Sequence, residues 1–190
     1  TGVVLRESRI RMGELYDPDR MQAVRQRLLR LNIFSSVSEP ELYLHNGVGG
    51  VLIRVQEGST NTFDGIAGYM PGKGGEDEGY FTGLVSVSMR NLFGTARKMH
   101  FRWQKEDRQS QELAIGYVEP WLFGQPLNVG ADFQQRRQDT SYVRQGGSLR
   151  AEWMLSEVLA VSVIGSTETV IPSADSTAAR VPRSTTTSAG

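Results

Sequence analysis

Cysteine is absent from this chain, so no disulfide and no thiolate metal site can hold it together. Long apolar runs are lacking too. A spanning helix needs roughly 18 to 20 consecutive apolar residues, no stretch approaches that, and mean hydropathy is negative. A helical membrane protein is thereby excluded. Neither charge sign prevails: 21 basic residues balance 21 acidic ones, leaving no overall field to attract nucleic acid or anionic lipid. There are only two histidines, His45 and His100, too few without cysteine for a zinc site of common composition. Glu76-Asp77-Glu78 lacks the alternating ligands of a calcium loop. Gly72-Lys73 misses the phosphate-loop spacing and its following Ser or Thr, so Gly68 to Gly74 reads as a turn. No catalytic residues, no metal and no cofactor are expected, and the chain does not read as an enzyme. Thr1 is not followed by a basic segment and an apolar one, so either export is not intended or a leader has been removed.

What is present is alternation. Val85, Val87 and Met89 interleave with Ser86, Ser88 and Arg90, and Met99, Phe101 and Trp103 interleave with His100, Arg102 and Gln104. Period two places every apolar residue of such a segment on one face of a sheet. A soluble sandwich would bury that face under another layer, but this part of the chain offers no helix to do so. Lipid can take that role, because a transmembrane strand needs only about 9 to 11 tilted residues with every second one apolar.

Composition changes once, near Gly58. Residues 1–58 read as a small mixed domain: a helix from Val3 to Ile10, a break at Gly13, and a second helix starting at Asp17-Pro18, where Asp caps orphan N–H groups and Pro loses no needed donor. Met21, Val24, Leu28 and Leu31 recur at helical spacing. Two strands follow, Phe34 to Leu44 and Val51 to Glu57, joined through Asn46-Gly47 and Gly49-Gly50. Two strands make a marginal sheet, so a strand is expected before Thr1.

Residues 59–172 read as seven strands: Thr60 to Tyr69, Phe81 to Arg90, Lys98 to Gln104, Gln111 to Val118, Leu127 to Gln135, Gly147 to Leu155 and Val158 to Gly165. Connections alternate in character. Pro71 to Gly79, Lys105 to Ser110 and Arg136 to Gly146 are polar, whereas Asn91 to Gly94, Glu119 to Gly124 and Ser156-Glu157 are short or aromatic. In an up-and-down sheet the two sets lie at opposite ends, the asymmetry of outer-membrane barrels with long outside loops and aromatic girdles. Residues 173–190, rich in Ser, Thr and Ala, read as a loop or a terminus.

Several of these segments, in this order, resemble one family. Arg11-Met12-Gly13-Glu14-Leu15-Tyr16-Asp17, Arg27 to Phe34 and Val55-Gln56-Glu57 are similar to the closing part of a POTRA domain. Asn61 to Tyr69, Arg90-Asn91-Leu92-Phe93-Gly94-Thr95 and Tyr117-Val118-Glu119-Pro120-Trp121-Leu122-Phe123-Gly124 resemble the opening barrel strands of the BamA and TamA outer-membrane assembly superfamily. Ala96 departs from the pattern, standing where the family usually has a second glycine.

The resemblance implies an α+β POTRA remnant followed by part of an all-β antiparallel barrel of about sixteen strands, in the bacterial outer membrane with the N-terminal domain in the periplasm. Seven strands cannot close, so the chain is expected to be a fragment. Implied partners are outer-membrane lipid, unfolded outer-membrane protein clients and periplasmic lipoproteins or chaperones. Nucleic acid is not among them.

On this resemblance the mechanism sits in the first barrel strand: Asn61, Thr62, Phe63, Asp64, Gly65, Ile66, Ala67, Gly68 and Tyr69. Its glycines weaken it as a gate strand, which can release its barrel partner and offer its edge to a client. Equally, they can relieve crowding in a curved wall. The turns Asn91 to Thr95 and Glu119, Pro120, Trp121, Phe123 and Gly124 carry the family signature. Phe34, Ser35, Ser36, Val37 and Ser38 are a second candidate edge, or ordinary packing residues. Arg90, Arg102, Arg136, Arg137 and Arg150 fit a lumen or a rim, with His100 inside beside Arg102 and His45 at a turn. A two-partner secretion transporter of the same superfamily, or a plain porin or soluble β protein, would share some of these features.

Overall fold

The computed structural model describes residues 2–72, 78–138, 142–156, 159–172 and 185–189, the last by backbone alone. The acidic run at 76–78 therefore lies outside the described residues except for Glu78. The chain divides into two compact units, Thr1–Asn61 with Arg90–Arg97, and Thr62–Met89 with Lys98–Gly190.

The first unit is built on helices α1 (Gly2–Ser8) and α2 (Pro18–Arg30). Asp17, extended at φ −127°, accepts the N–H of Asp19 at 3.0 Å and of Arg20 at 3.4 Å, and Pro18 follows inside the first turn. These satisfy donors that a helix start otherwise leaves orphaned. Met21, Val24 and Leu28 share the buried stripe of α2 and close a core with Val37, against which Val4, Phe34, Val51, Ile53 and Val55 pack. Arg27 is buried on the same helix, and its Nη1 donates to the Glu7 carbonyl at 2.5 Å, satisfying an acceptor in the last turn of α1.

Each of the two strands expected in this unit is broken. Phe34–Val37 (β1) pairs with Val55–Glu57 (β4), and Glu41–His45 (β2) pairs with Val48–Leu52 (β3), all antiparallel. Pro40 lacks a ladder donor, and Ser38 and Arg54 make a local exchange instead. The Ser38 N–H donates to the Arg54 carbonyl at 2.8 Å and the Arg54 N–H to Ser38 Oγ at 2.9 Å. Asn46 and Gly47, at φ +51° and +78°, form the hairpin turn. Gly49 and Gly50 lie in β3, outside the turn, and the Tyr43 ring occupies the space a Cβ at Gly50 would need.

The second unit is an antiparallel sheet with strands in chain order: β5 (Asn61–Met70), β6 (Tyr80–Leu92), β7 (Arg97–Lys105), β8 (Gln111–Glu119), β9 (Leu127–Gln138), β10 (Tyr142–Met154), β11 (Ala160–Pro172) and β12 (Thr185–Ala189). It has eight strands where seven were expected. Thr185–Ala189, read from sequence as loop or terminus, pairs with β11 from Gly165↔Ala189 to Thr169↔Thr185. Among the described residues the strand order runs from β5 to β12 without a pairing between those two.

Two sequence readings of loops are corrected by pairing. β5 continues through Gly68 to Met70, and most of Arg136 to Gly146 is strand, since Arg137↔Val143 and Gln138↔Tyr142 extend the β9–β10 ladder. Between strand bounds the connections 71–79, 106–110 and 139–141 are not consistently longer than 93–96, 120–126 and 155–159. The two sets differ in chemistry, not in length.

Register confirms the two faces. One face carries the rows Met99–Tyr117–Ala131–Leu149–Gly165 and Phe101–Ile115–Phe133–Gly147 across β7 to β11. Tyr69 and Phe81 add a tilted ring pair at 5.0 Å between centroids. Ile115, Phe133, Leu149 and Val163 remain exposed there. The other face carries His100–Gly116–Asp132–Ser148–Ser166.

Candidate functional site

The candidate gate strand β5 is the edge of the sheet, with β6 as its one neighbour, and every residue from Asn61 to Met70 is exposed. Its glycines play different parts. A Cβ at Gly68 would crowd Thr82 Oγ1 at 2.8 Å, and one at Gly83 of β6 would crowd the Ile66 carbonyl at 2.9 Å. These two let β5 and β6 approach closely. At Gly65 a Cβ would meet only ordinary contacts, the nearest being the Phe63 ring at 3.5 Å. No neighbour requires glycine at Gly65, so its effect is to remove packing from the strand. An edge strand presents unpaired N–H and C=O groups, a template for another strand. Phe63, Ile66 and Tyr69 stand exposed on it.

The Asn91–Thr95 turn is a compact hydrogen-bonded unit. The Gly94 N–H donates to the Asn91 carbonyl at 3.0 Å, Thr95 Oγ1 to the Leu92 carbonyl at 2.7 Å, and the Ala96 N–H to Asn91 Oδ1 at 2.9 Å. Phe93, Gly94 and Ala96 all have positive φ. Ala96, at φ +62°, is 3% exposed and packs with Val3 and Ile33 of the first unit, while Arg6 Nη2 donates to the Thr95 carbonyl at 3.1 Å. Sequence spacing gave no sign that this turn belongs to the N-terminal unit. The departure from glycine at Ala96 was the one available clue.

The second signature turn is also left-handed. Trp121 and Phe123 have φ +54° around a single 3-10 turn, Leu122–Gly124, and the Trp121 N–H donates to Asn128 Oδ1 at 3.3 Å. Phe123 is exposed. The Asn91–Thr95 turn belongs to the first unit, and residues 62–70 of β5 and the 119–124 turn belong to the second.

In the first unit, β1 pairs on one side with β4. Val37 is in the core and Phe34 packs against it, which leaves the exposed Ser35 and Ser36 and the backbone as what β1 could offer a partner.

On the polar face His100 finds a partner other than Arg102. Its Nε2 lies 3.7 Å from Asp132 Oδ1 across β8, and a Cβ on Gly116 would overlap both side chains. Arg102 donates to Gln104 Oε1 at 2.6 Å. His100, Asp132, Gln134, Ser148, Arg150 and Glu168 line a shallow cavity of about 580 Å³. Arg136–Glu112 at 3.8 Å and Arg144–Glu168 at 3.2 Å cross neighbouring strands on this face. Pairs this exposed are worth little individually. No group of three or more metal-ligating side chains occurs among the described residues.

The β7–β8 connection carries a perturbed carboxylate. The Asp107 carboxylate accepts the Gln109 N–H at 2.7 Å and the Ser110 N–H at 2.6 Å. These bonds, Gln109 first, hold its pKa below the ordinary aspartate value. A depressed carboxylate contributes stability above its unfolded pKa and loses it as pH falls through the folded one. Side-chain carbon NMR across an acid titration should show Asp107 ionised at pH values where a free aspartate is protonated. An ordinary midpoint would refute the turn geometry.

No family model matches the chain. It is 25% identical over 178 residues to a "Putative outer membrane protein assembly factor" of Treponema pallidum, covering 84% of this chain and 20% of that protein. It is 28% identical over 148 residues to "Outer membrane protein assembly factor BamA" of Neorickettsia risticii, covering 77% of this chain and 17% of that protein. The chain thus spans about a fifth of the length of the curated relatives it matches. Among solved structures, BamA from Haemophilus ducreyi lacking POTRA domains 1–3 has the same fold over 90% of this chain and 33% of that one, with a TM-score of 0.58 at 14% identity. By sequence the chain is similar, at modest identity, to two proteins named as outer-membrane protein assembly factors, and by fold it is similar to a BamA structure.

Proposed function

We propose that the chain is the junction of an outer-membrane β-barrel assembly factor, with residues 1–58 the closing part of a periplasmic POTRA domain and residues 59–172 the opening barrel strands. Clients arriving in the periplasm are recruited by the POTRA domain and inserted at a seam whose near side is β5. The work is done by backbone, so no catalytic group and no cofactor is called for. The observation that carries this reading is the thin packing of β5, whose backbone edge away from β6 faces the seam on this reading: at Gly65 a Cβ would meet only ordinary contacts, so no described neighbour demands the glycine there. An incoming strand could pair with that edge by β-augmentation, gaining main-chain hydrogen bonds that water cannot replace inside a bilayer. The exposed apolar face of the sheet supports contact with outer-membrane lipid, since hydrocarbon is the solvent in which such a face costs nothing. The β1 edge, with Ser35 and Ser36 free of the core, is where a lipoprotein or chaperone partner would add a strand.

The test is a disulfide between β5 and the last barrel strand of the complete protein. With Ile66→Cys paired to a cysteine across the seam, client insertion into membranes should fall at least tenfold under oxidising conditions and return with reductant. Normal insertion through a locked seam would remove β5 from the mechanism.

A further inference from the structure

We infer that the β2–β3 hairpin of the first unit is a lipid-contacting arm, seated at the boundary between headgroups and hydrocarbon. The inference goes beyond the assembly reading but rests on its placement of the chain at a membrane.

The evidence begins with charge. Between Glu41 and Arg54 there is no Asp, Glu, Lys or Arg, a charge-free run of twelve residues. Only one other run in the chain is as long, residues 120–131, which passes through the aromatic Trp121–Phe123 turn into β9 of the sheet. The run is bounded by an ion pair, Arg54 Nη1 to Glu41 Oε1 at 2.6 Å, so charge resumes at the base of the hairpin, at the start of β2 and just past the end of β3. A soluble hairpin tip usually gathers polar and charged residues. This one carries Leu44, His45, Asn46, Gly47 and Val48.

The apolar side chains are exposed, and they are exposed on both faces. Leu42 pairs with Val51 and Leu44 with Gly49, which places Leu42 and Leu44 on the face whose base, Val51, packs on the core. Leu44 projects past that core and is 81% exposed. Tyr43 and Val48 stand on the opposite face, Val48 at 70% exposure, with the Tyr43 ring laid over Gly50. A protein partner laid on one face would leave the other face in water. Lipid surrounds a hairpin on both. Tyr43 adds a ring with an apolar body and a polar tip, the type enriched where headgroups meet hydrocarbon, and burial of the leucines and valine supplies the hydrophobic term that holds interfacial segments in place.

Residues 1–190 contain no cysteine, so a single label introduced here is site-specific once any cysteine elsewhere in the complete protein has been replaced. Single nitroxide labels are placed at Leu44→Cys, Val48→Cys, Ser36→Cys and Leu149→Cys in the complete protein reconstituted into phosphatidylethanolamine–phosphatidylglycerol vesicles. Collision with oxygen, which partitions into lipid, is compared with collision with a water-soluble nickel chelate. The labels at 44 and 48 should show an oxygen-to-nickel ratio several-fold above that at 36, as should the label at 149 on the apolar face of the sheet. Nickel access at 44 and 48 equal to that at 36, with 149 still in lipid, overturns the arm and leaves the assembly reading standing. Shielding of 44 and 48 from both reagents means that protein covers the hairpin, an upstream strand or a second copy, and overturns it too. Nickel access at all four positions overturns both readings.

Discussion

Leu28→Ala should lower the stability of the N-terminal unit by about 3 to 4 kcal/mol, a large fraction of the total stability of a small domain. Leu28 has no exposed surface and sits where α2 meets the strands, in contact with the cluster of Met21, Val24 and Val37. Truncation removes its transfer energy and leaves a cavity that the neighbours can fill only in part, because they are held by different elements: Val37 by β1, Val51 by the hairpin, Val4 by α1. Hydrogen exchange of the α2 amides reads the effect directly, since those amides open with the unit. Protection factors should fall by about two orders of magnitude or more. Gln26→Ala, on the exposed side of the same helix, should change them several-fold less. Equal effects at 28 and 26 would mean that the stripe is not the core.

The second large effect is expected at Ala96. Alanine in the left-handed region costs about 1 kcal/mol relative to glycine, and burial of its methyl against Val3 and Ile33 returns about 0.8 kcal/mol. Ala96→Gly should therefore be close to neutral, within about 1 kcal/mol. Ala96→Val should cost about 3 kcal/mol, because a β-branched side chain at φ +62° is strained and its two added methyls have no room beside residues that are themselves fully packed. Urea unfolding of the N-terminal unit, followed by tryptophan-independent circular dichroism of its helices, compares the three. A valine variant as stable as the parent would show that the turn does not pack as described. The same experiment asks why the resemblance to the family fails at this position: the chain has exchanged backbone ease for a buried methyl.

Much of the fold was legible from residue order alone. Helix α2 was readable because Asp17, Pro18 and the Met21–Val24–Leu28 stripe are local signals that agree. All seven strands between 60 and 165 were placed, since alternation is a property of neighbours in sequence. What the residues could not disclose was which strands continue. Arg136 to Gly146 looks like a loop by its charge and glycine content, yet its described residues pair, because exposed polar residues alternate on a sheet face as readily as apolar ones when the partner strand is present. Phe34 to Leu44 looks continuous, yet Pro40 and the Ser38–Arg54 exchange divide it.

The candidate sites follow the same division. Sequence determined the two faces of the sheet, the absence of thiolate chemistry, the helix start and the hairpin turn at Asn46-Gly47. Tertiary structure decided that β5 runs on to Met70 beside β6 and that Thr185–Ala189 adds a strand. It decided that His100 meets Asp132 over Gly116, and that the Asn91–Ala96 turn packs with Val3 and Ile33. Each of these joins residues far apart in the chain, and periodicity carries no record of which distant strand or helix will occupy the neighbouring place.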